Sequence, residues 1–426
     1  MDSFERFDMN RKPKPCKWYL KPLLWALSFP STWVHRTRIV KDPRLKGLKP
    51  PYLLLCNHNA FFDMKVALRA CFPHVPNFVV AIDGFIGREG LLRSIGCICK
   101  RKFTNDMRLL KHIRTVIDNG GIPGIYPEAR YSLCGTTAVL PESLGGMAKR
   151  LKIPVVTLIC HGHHVNHPFW NTRKERGVKP TEAEMTLLLT PEELEKLPVD
   201  AINRKLVKAF QYDDFRWQKE KGVRVKDPDR AIGLEKILYQ CPRCRSEFHM
   251  TSSRNELRCC SCGMSWRMDE YGQLSSLIPG EDARFPHIPD WYEWERKNVR
   301  AEVRSGLYTS GELSVFVRSL PNAKAFIDLG KGIMIHDSNG FRVRVPQPDG
   351  EEFTMEIPVP SLYSVHIEYE YLFKFGDCVD LNTLTDTWYV YPSGNSFSVT
   401  KLALATEELY AFDREKRGRP CPPGLA

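Results

Sequence analysis

Residues Asn57-His58-Asn59-Ala60-Phe61-Phe62-Asp63 carry an imidazole and a carboxylate five positions apart. An imidazole with a carboxylate to orient it is the minimal equipment for a general base that draws a proton from a hydroxyl. Such a pair also occurs as a plain polar helix cap, so the elements around it decide its meaning. The preceding run, 52–56, is wholly apolar and reads as a buried strand; 63–70 reads as an amphipathic helix. Asn57 and Asn59 can bond the free amides of a first helical turn. Five residues along one continuous helix would separate the two side chains by about 140°. His58 must therefore sit in the turn before the helix, with Asp63 in its first turns.

A second constellation is Cys241-Pro242-Arg243-Cys244, then Cys259-Cys260-Ser261-Cys262. Two Cys-x2-Cys knuckles separated by 14 residues place four thiolates around one zinc ion. Such a zinc is structural, since Cys241, Cys244, Cys259 and Cys262 leave no coordination position open. Cys260 is a spare thiol, or exchanges with Cys259 as ligand. The expected frame is a zinc ribbon with short strands at 236–240, 247–251, 256–258 and 265–269.

The remaining pattern supplies the scaffold. Strand-like and helix-like runs alternate from 52 to 162: a strand at 78–81, a helix over 106–119 stopped by Gly120-Gly121, a strand at 122–126, a helix at 144–151 and a strand at 155–159. That alternation predicts an α/β domain with helices around a central sheet, and the site of such a sheet lies beyond its strand ends. A helical, charged passage follows, Thr190-Pro191-Glu192-Glu193 starts a helix, and 201–222 reads as one more. After a helix from 289 to 306 come seven short strands, at 313–317, 332–336, 341–345, 353–357, 364–371, 377–381 and 387–391, and a helix over 400–414. This C-terminal β-rich domain resembles the small barrel of the pleckstrin-homology or GRAM kind with a closing helix. The expected division is a basic, aromatic N-terminal segment (1–45), the α/β domain (46–222), a linker (223–235), the zinc ribbon (236–276), and a helix plus β-rich domain (286–426).

Four ordered blocks resemble the glycerophospholipid acyltransferase family, typified by bacterial lysophosphatidic acid acyltransferase. The first is Asn57 to Asp63, matching the family's His-x4-Asp. The second is Gly87-Arg88-Glu89-Gly90-Leu91-Leu92-Arg93-Ser94-Ile95-Gly96 with the basic cluster Lys100-Arg101-Lys102. The third is Ile125-Tyr126-Pro127-Glu128-Ala129-Arg130-Tyr131-Ser132, with Ala129 where the family carries glycine and Arg130 one position earlier than the family's arginine. The fourth is Ile153-Pro154-Val155-Val156-Thr157-Leu158, with Thr157 for a usual proline. The resemblance covers 40 to 220. It implies transfer of a fatty acyl group from an acyl thioester, on coenzyme A or acyl carrier protein, to a hydroxyl of a lysophospholipid such as 1-acyl-glycerol 3-phosphate. It implies His58 as general base oriented by Asp63, and Asn57, Arg101, Glu128, Ala129 and Arg130 as substrate-binding positions. Arg101 and Arg130 are the expected phosphate ligands because a guanidinium matches phosphate oxygens in a fork. Glu128 is expected to hold Arg130 or the loop backbone, and helix-start amides near His58 to receive the oxyanion.

The formal charge is +12, and the first fifty residues hold an excess of roughly eight positive charges. The stretch 18–33, rich in Trp, Leu and Phe and flanked by Lys12, Lys14, Lys17, Arg36 and Arg38, reads as a segment lying on a membrane surface or packed on its own domain. No secretory leader and no bilayer-spanning run is apparent, and fourteen cysteines without a disulfide spacing pattern point to a reducing compartment. The expected location is cytoplasmic, peripheral on the inner face of the membrane. His161 to His167 invites a metal reading, but no matching cysteine or carboxylate cluster is apparent beside it, and a polar loop lining the site mouth is the favoured alternative. The rival reading is a catalytically silent acyltransferase-like scaffold that binds nucleic acid or a protein. Nucleic acid is disfavoured by the ribbon's lack of interleaved basic and aromatic residues.

Overall fold

The structure is a computed structural model that describes residues 5–171, 175–348, 350–419 and 421. The start and the end of the expected N- and C-terminal segments, 1–4 and 422–426, lie outside the described residues.

The first sheet contains β1 (Arg38–Lys41), β2 (Leu53–Cys56), β3 (Asn77–Ala81), β4 (Ile98–Lys100), β5 (Pro123–Ile125), β6 (Val155–His161) and β7 (Glu182–Leu189), in the order β1-β7-β6-β2-β5-β3-β4. Strands β2 to β6 run parallel, and β7 is antiparallel to β6. Strand β2 lies mid-sheet. Its Leu53 and Leu55 enter one apolar core and its Leu54 and Cys56 the other, which is why the run is apolar at every position. The helix Met107–Asp118 starts where the Asp106 side chain accepts the Arg108 N–H at 2.9 Å, and turns Ile113, Val116 and Ile117 inward. Gly120, at φ 67, lets the chain leave it, and the Gly121 N–H returns to the Val116 carbonyl.

Two expectations fail beyond β6. The passage read as helical contains β7, where Ala183, Met185, Leu187 and Leu189 are buried and the residues between them are not. This period of two, set by pairing along β6, overrides the helix preference of its Glu, Ala, Met and Leu residues. The single helix expected over 201–222 is two, Val199–Ala209 and Asp214–Glu220. Asp213 breaks the run by accepting the N–H groups of Phe215 and Arg216. The start at Thr190 is a full capping box with Glu193.

The cysteine region forms a four-stranded antiparallel sheet, β8 (Met250–Ser253), β9 (Glu256–Cys259), β10 (Ser265–Met268) and β11 (Leu274–Ser276). Residues 236–240 do not extend it. Gln240 makes a single antiparallel bridge to Glu247, while its own N–H goes to Glu295 Oε1 at 2.8 Å and its carbonyl accepts from Trp291 Nε1 at 3.0 Å, so side chains of the helix Ile288–Arg304 occupy its other edge. Trp266 on β10 meets Trp291 edge to face at 4.8 Å, in an apolar core that continues into the C-terminal half.

That half is a seven-stranded antiparallel sheet closed by the helix Val399–Lys416. Its strands are β12 (Leu313–Ser319), β13 (Ile327–Asp337), β14 (Gly340–Pro346), β15 (Glu352–Ile357), β16 (His366–Glu368), β17 (Cys378–Asn382) and β18 (Thr387–Pro392), in the order β15-β14-β13-β12-β18-β17-β16. The first strand, β12, pairs with the last, β18.

Candidate active site

The helix Phe62–Ala70 begins one residue before Asp63, and His58 lies in the turn between it and β2. His58 Nδ1 stands 3.2 Å from Asp63 Oδ2. The same oxygen accepts the N–H groups of Asn59 at 2.6 Å and Ala60 at 2.9 Å. Asp63 Oδ1 lies 2.5 Å from His163 Nδ1. Burial alone would raise the Asp63 carboxyl, but the hydrogen bonds from His163 and then His58 outweigh it and hold the group well below the usual carboxylate range. Asp63 is thus an anion at neutral pH, and the His58 nitrogen facing it carries the proton. That leaves Nε2 as the basic nitrogen. The Asp63 side chain is fully buried, whereas 22% of His58 is exposed, which is the arrangement an accessible base needs.

The turn is clamped from both neighbouring strands. Glu128 Oε2 accepts the His58 N–H at 2.7 Å and its Oε1 the Ala138 N–H at 2.9 Å. Burial pushes the Glu128 carboxyl up to about 8 against these amides. The Asn57 amide exchanges two hydrogen bonds with the Cys160 main chain on β6, at 2.9 and 2.8 Å. Tyr212 Oη donates to Asn59 Oδ1 at 3.0 Å. The His58 ring stacks on Tyr126 at 4.1 Å and leans on Tyr131 at 4.3 Å. Asn57 and Glu128 therefore shape the loop, and two of the expected oxyanion amides, those of Asn59 and Ala60, are taken by Asp63.

Arg101 and Arg130 point into the C-terminal half. Arg130 Nη2 meets Glu407 Oε1 at 2.7 Å, and Arg296 Nη1 meets Glu407 Oε2 at 2.7 Å. Arg101 Nη1 donates to Thr387 Oγ1 at 2.7 Å and its Nη2 to the Pro321 carbonyl at 3.0 Å. Lys100 bonds the Thr104 carbonyl at 2.6 Å, and Lys102 pairs with Asp380 at 2.9 Å and Asp83 at 3.3 Å. Ala129 adopts φ 54, the left-handed conformation for which glycine is the natural residue.

The histidine-rich run is not a loop at the mouth: His163–Asn166 is a short helix, with His163 and His164 fully buried. Linear distance concealed its neighbours. Because β6 lies beside β2 with Leu158 opposite Cys56, the residues after β6 arrive beside those after β2. Asp63, Cys160 and His163 bring donor atoms within 4.8 Å of one another. Asp63 already accepts from His58, His163 and two amides, so the three residues form a hydrogen-bonded cluster, with the Cys160 thiol pushed up by burial.

The four predicted thiols converge. Cys241 Sγ lies 3.7 Å from Cys262 Sγ, and Cys244 Sγ 3.7 Å from Cys259 Sγ. A tetrahedron with metal–sulfur bonds of ~2.3 Å has an edge of about 3.8 Å, so the spacing fits a metal and is far too long for a disulfide. Both knuckles bend alike. Arg245, at φ 62, donates its N–H to the Cys241 carbonyl, and Gly263, at φ 74, to the Cys259 carbonyl. This four-cysteine cluster can hold a metal ion.

A family model described as Acyltransferase matches residues 34–161, which contain β1 to β6 and the His58–Asp63 turn. Over that stretch, less than half of the chain, the sequence is similar to the acyltransferase family. No curated protein matches the chain. Among solved structures, the 1-acyl-sn-glycerophosphate (LPA) acyltransferase PlsC from Thermotoga maritima is similar at 13% identity, over 48% of this chain and 80% of that one, with a TM-score of 0.35.

Proposed function

We propose that this acyltransferase moves a fatty acyl group from an acyl thioester to a hydroxyl of a lysophospholipid such as 1-acyl-glycerol 3-phosphate. The observation that carries the reading is the contact between His58 Nδ1 and Asp63 Oδ2 at 3.2 Å, on a partly exposed ring whose other nitrogen is basic. His58 Nε2 takes the acceptor proton as the oxygen attacks the thioester carbonyl. The carbon–sulfur bond then breaks, and the proton passes to the leaving thiolate of coenzyme A or acyl carrier protein. Glu128 and Asn57 keep the turn rigid. Arg101 and Arg130 can receive the acceptor phosphate only when the C-terminal half releases them, since their guanidinium groups hold Thr387, the Pro321 carbonyl and Glu407.

The helix Lys21–Val34 packs Trp25 and Phe29 on Phe72 while leaving Leu23, Leu27, Trp33 and Val34 exposed. Trp18 and Tyr19 before it, and Phe61 beside His58, are exposed as well. With the basic residues around it, this face suits an anionic lipid surface from which an acceptor would reach His58. No helix among the described residues is long and apolar enough to cross a membrane. Peripheral attachment on the cytoplasmic face is the matching location. In the same reading the four cysteines hold structural zinc. The C-terminal sheet, with its first strand paired to its last and one closing helix, is a small barrel of the pleckstrin-homology or GRAM kind.

The test is a thioester-consumption assay with lysophosphatidic acid and glycerol 3-phosphate among the acceptors. His58→Ala abolishes transfer while the fold persists; turnover retained in that variant would remove His58 as the base.

A further inference from the structure

The Asp63 carboxylate has two oxygens with different duties. Oδ2 takes His58 and the two turn amides, and Oδ1, among the described residues, takes only His163. A carboxylate held by one oxygen turns about its last side-chain bond, and that turn would move Oδ2 away from His58. His163 blocks it from the opposite side.

His163 is itself held in place. It follows β6, the strand next to β2, and its ring lies 4.7 Å from that of Phe62. Gly162 before it has φ 81, and a Cβ there would lie 2.7 Å from the Trp217 ring. Only glycine turns the chain so tightly at this point. His163 Nε2 is buried without a hydrogen-bond partner among the described residues, so the polarity of this ring serves Asp63 alone. A buried polar side chain with a single partner costs free energy that an apolar residue of similar size would not.

We propose that His163 is a positioning residue for acyl transfer, fixing Asp63 so that the working unit is His58–Asp63–His163. The inference rests on His58 acting as the base. His163 touches neither acceptor nor thioester; it acts on rate through Asp63 and leaves substrate binding alone.

An asparagine at this position presents its Nδ2 where the imidazole presents Nδ1, whereas a glutamine amide reaches past Asp63 Oδ1. Steady-state kinetics of His163→Asn and His163→Gln on the full chain therefore test the proposal, with His163→Leu as the apolar variant of similar size. His163→Gln and His163→Leu are expected to lower kcat about 100-fold with KM changed by less than about twofold, and His163→Asn to recover at least about tenfold of that loss. Equal kcat in the Asn and Gln variants, or a Gln variant within about twofold of the parent, overturns the proposal. His58→Ala is measured beside them. If it is inactive while His163→Gln is active, His163 loses its role and the base stands; if His58→Ala is active, the base itself falls.

Discussion

Arg130 Nη2 lies 2.7 Å from Glu407 Oε1, joining the loop after β5 to the C-terminal helix across 277 positions of sequence. Arg296 occupies the other oxygen of Glu407, and Ser364 Oγ donates to Oε1 at 2.7 Å. One buried carboxylate thus ties together the α/β domain, the helix beside the cysteine cluster and the C-terminal sheet. Neutralising it leaves the buried Arg130 guanidinium without its carboxylate, while Arg296 keeps Glu293 at 3.3 Å and Glu408 at 3.5 Å; a stranded buried cation costs far more than the pair contributes over an apolar replacement.

Glu407→Gln is accordingly expected to destabilise the protein by about 3–5 kcal/mol, measured as a lower urea midpoint. Burial raises the Glu407 carboxyl, but Arg130 and Arg296 more than offset it and leave it below its ordinary value of 4.5. A carboxyl depressed in the folded state adds stability that is present above that ordinary value and is lost as pH falls below it. The parent should therefore lose stability between pH 4.5 and more acid conditions more steeply than Glu407→Gln does. Parallel acid profiles would dismiss the linkage.

Ala129→Gly relieves the left-handed strain at φ 54 while adding freedom to the unfolded chain. The first effect is about 1–2 kcal/mol and the second about 0.4–1, so a gain of roughly 0.5–1 kcal/mol is expected. Thermal unfolding measures it, and a lower midpoint would contradict it.

Purified protein is expected to hold one tightly bound zinc on Cys241, Cys244, Cys259 and Cys262, counted by metal analysis. Because Trp266 of that sheet packs on Trp291 in a shared core, chelation should loosen the C-terminal half as well as the cysteine loops. A chelator that strips metal without lowering the unfolding midpoint would separate the two.

Leu23→Glu with Leu27→Glu places two charges on the exposed helix face without touching Trp25 or Phe29. Binding to vesicles containing acidic phospholipid is expected to fall at least about tenfold in sedimentation, since each lost leucine contact is worth about 1.5–3 kcal/mol. Unchanged sedimentation would assign lipid contact to another surface.

By itself the sequence determined whatever local spacing controls. It placed His58 in a turn and Asp63 on the following helix, because helical periodicity admits no other meeting of the pair. It determined the four-cysteine cluster, because two knuckles of two intervening residues bend back on their own amides. It located the seven C-terminal strands and their closing helix, because alternation and turn residues are local signals. Tertiary structure decided what depends on strands meeting at a distance. Only the pairing of β6 beside β2 brings His163 to Asp63, and only the packing of the C-terminal half turns Arg101 and Arg130 inward. It also made β7 a strand, because an edge of β6 open to pairing outweighed the helix preference of its residues.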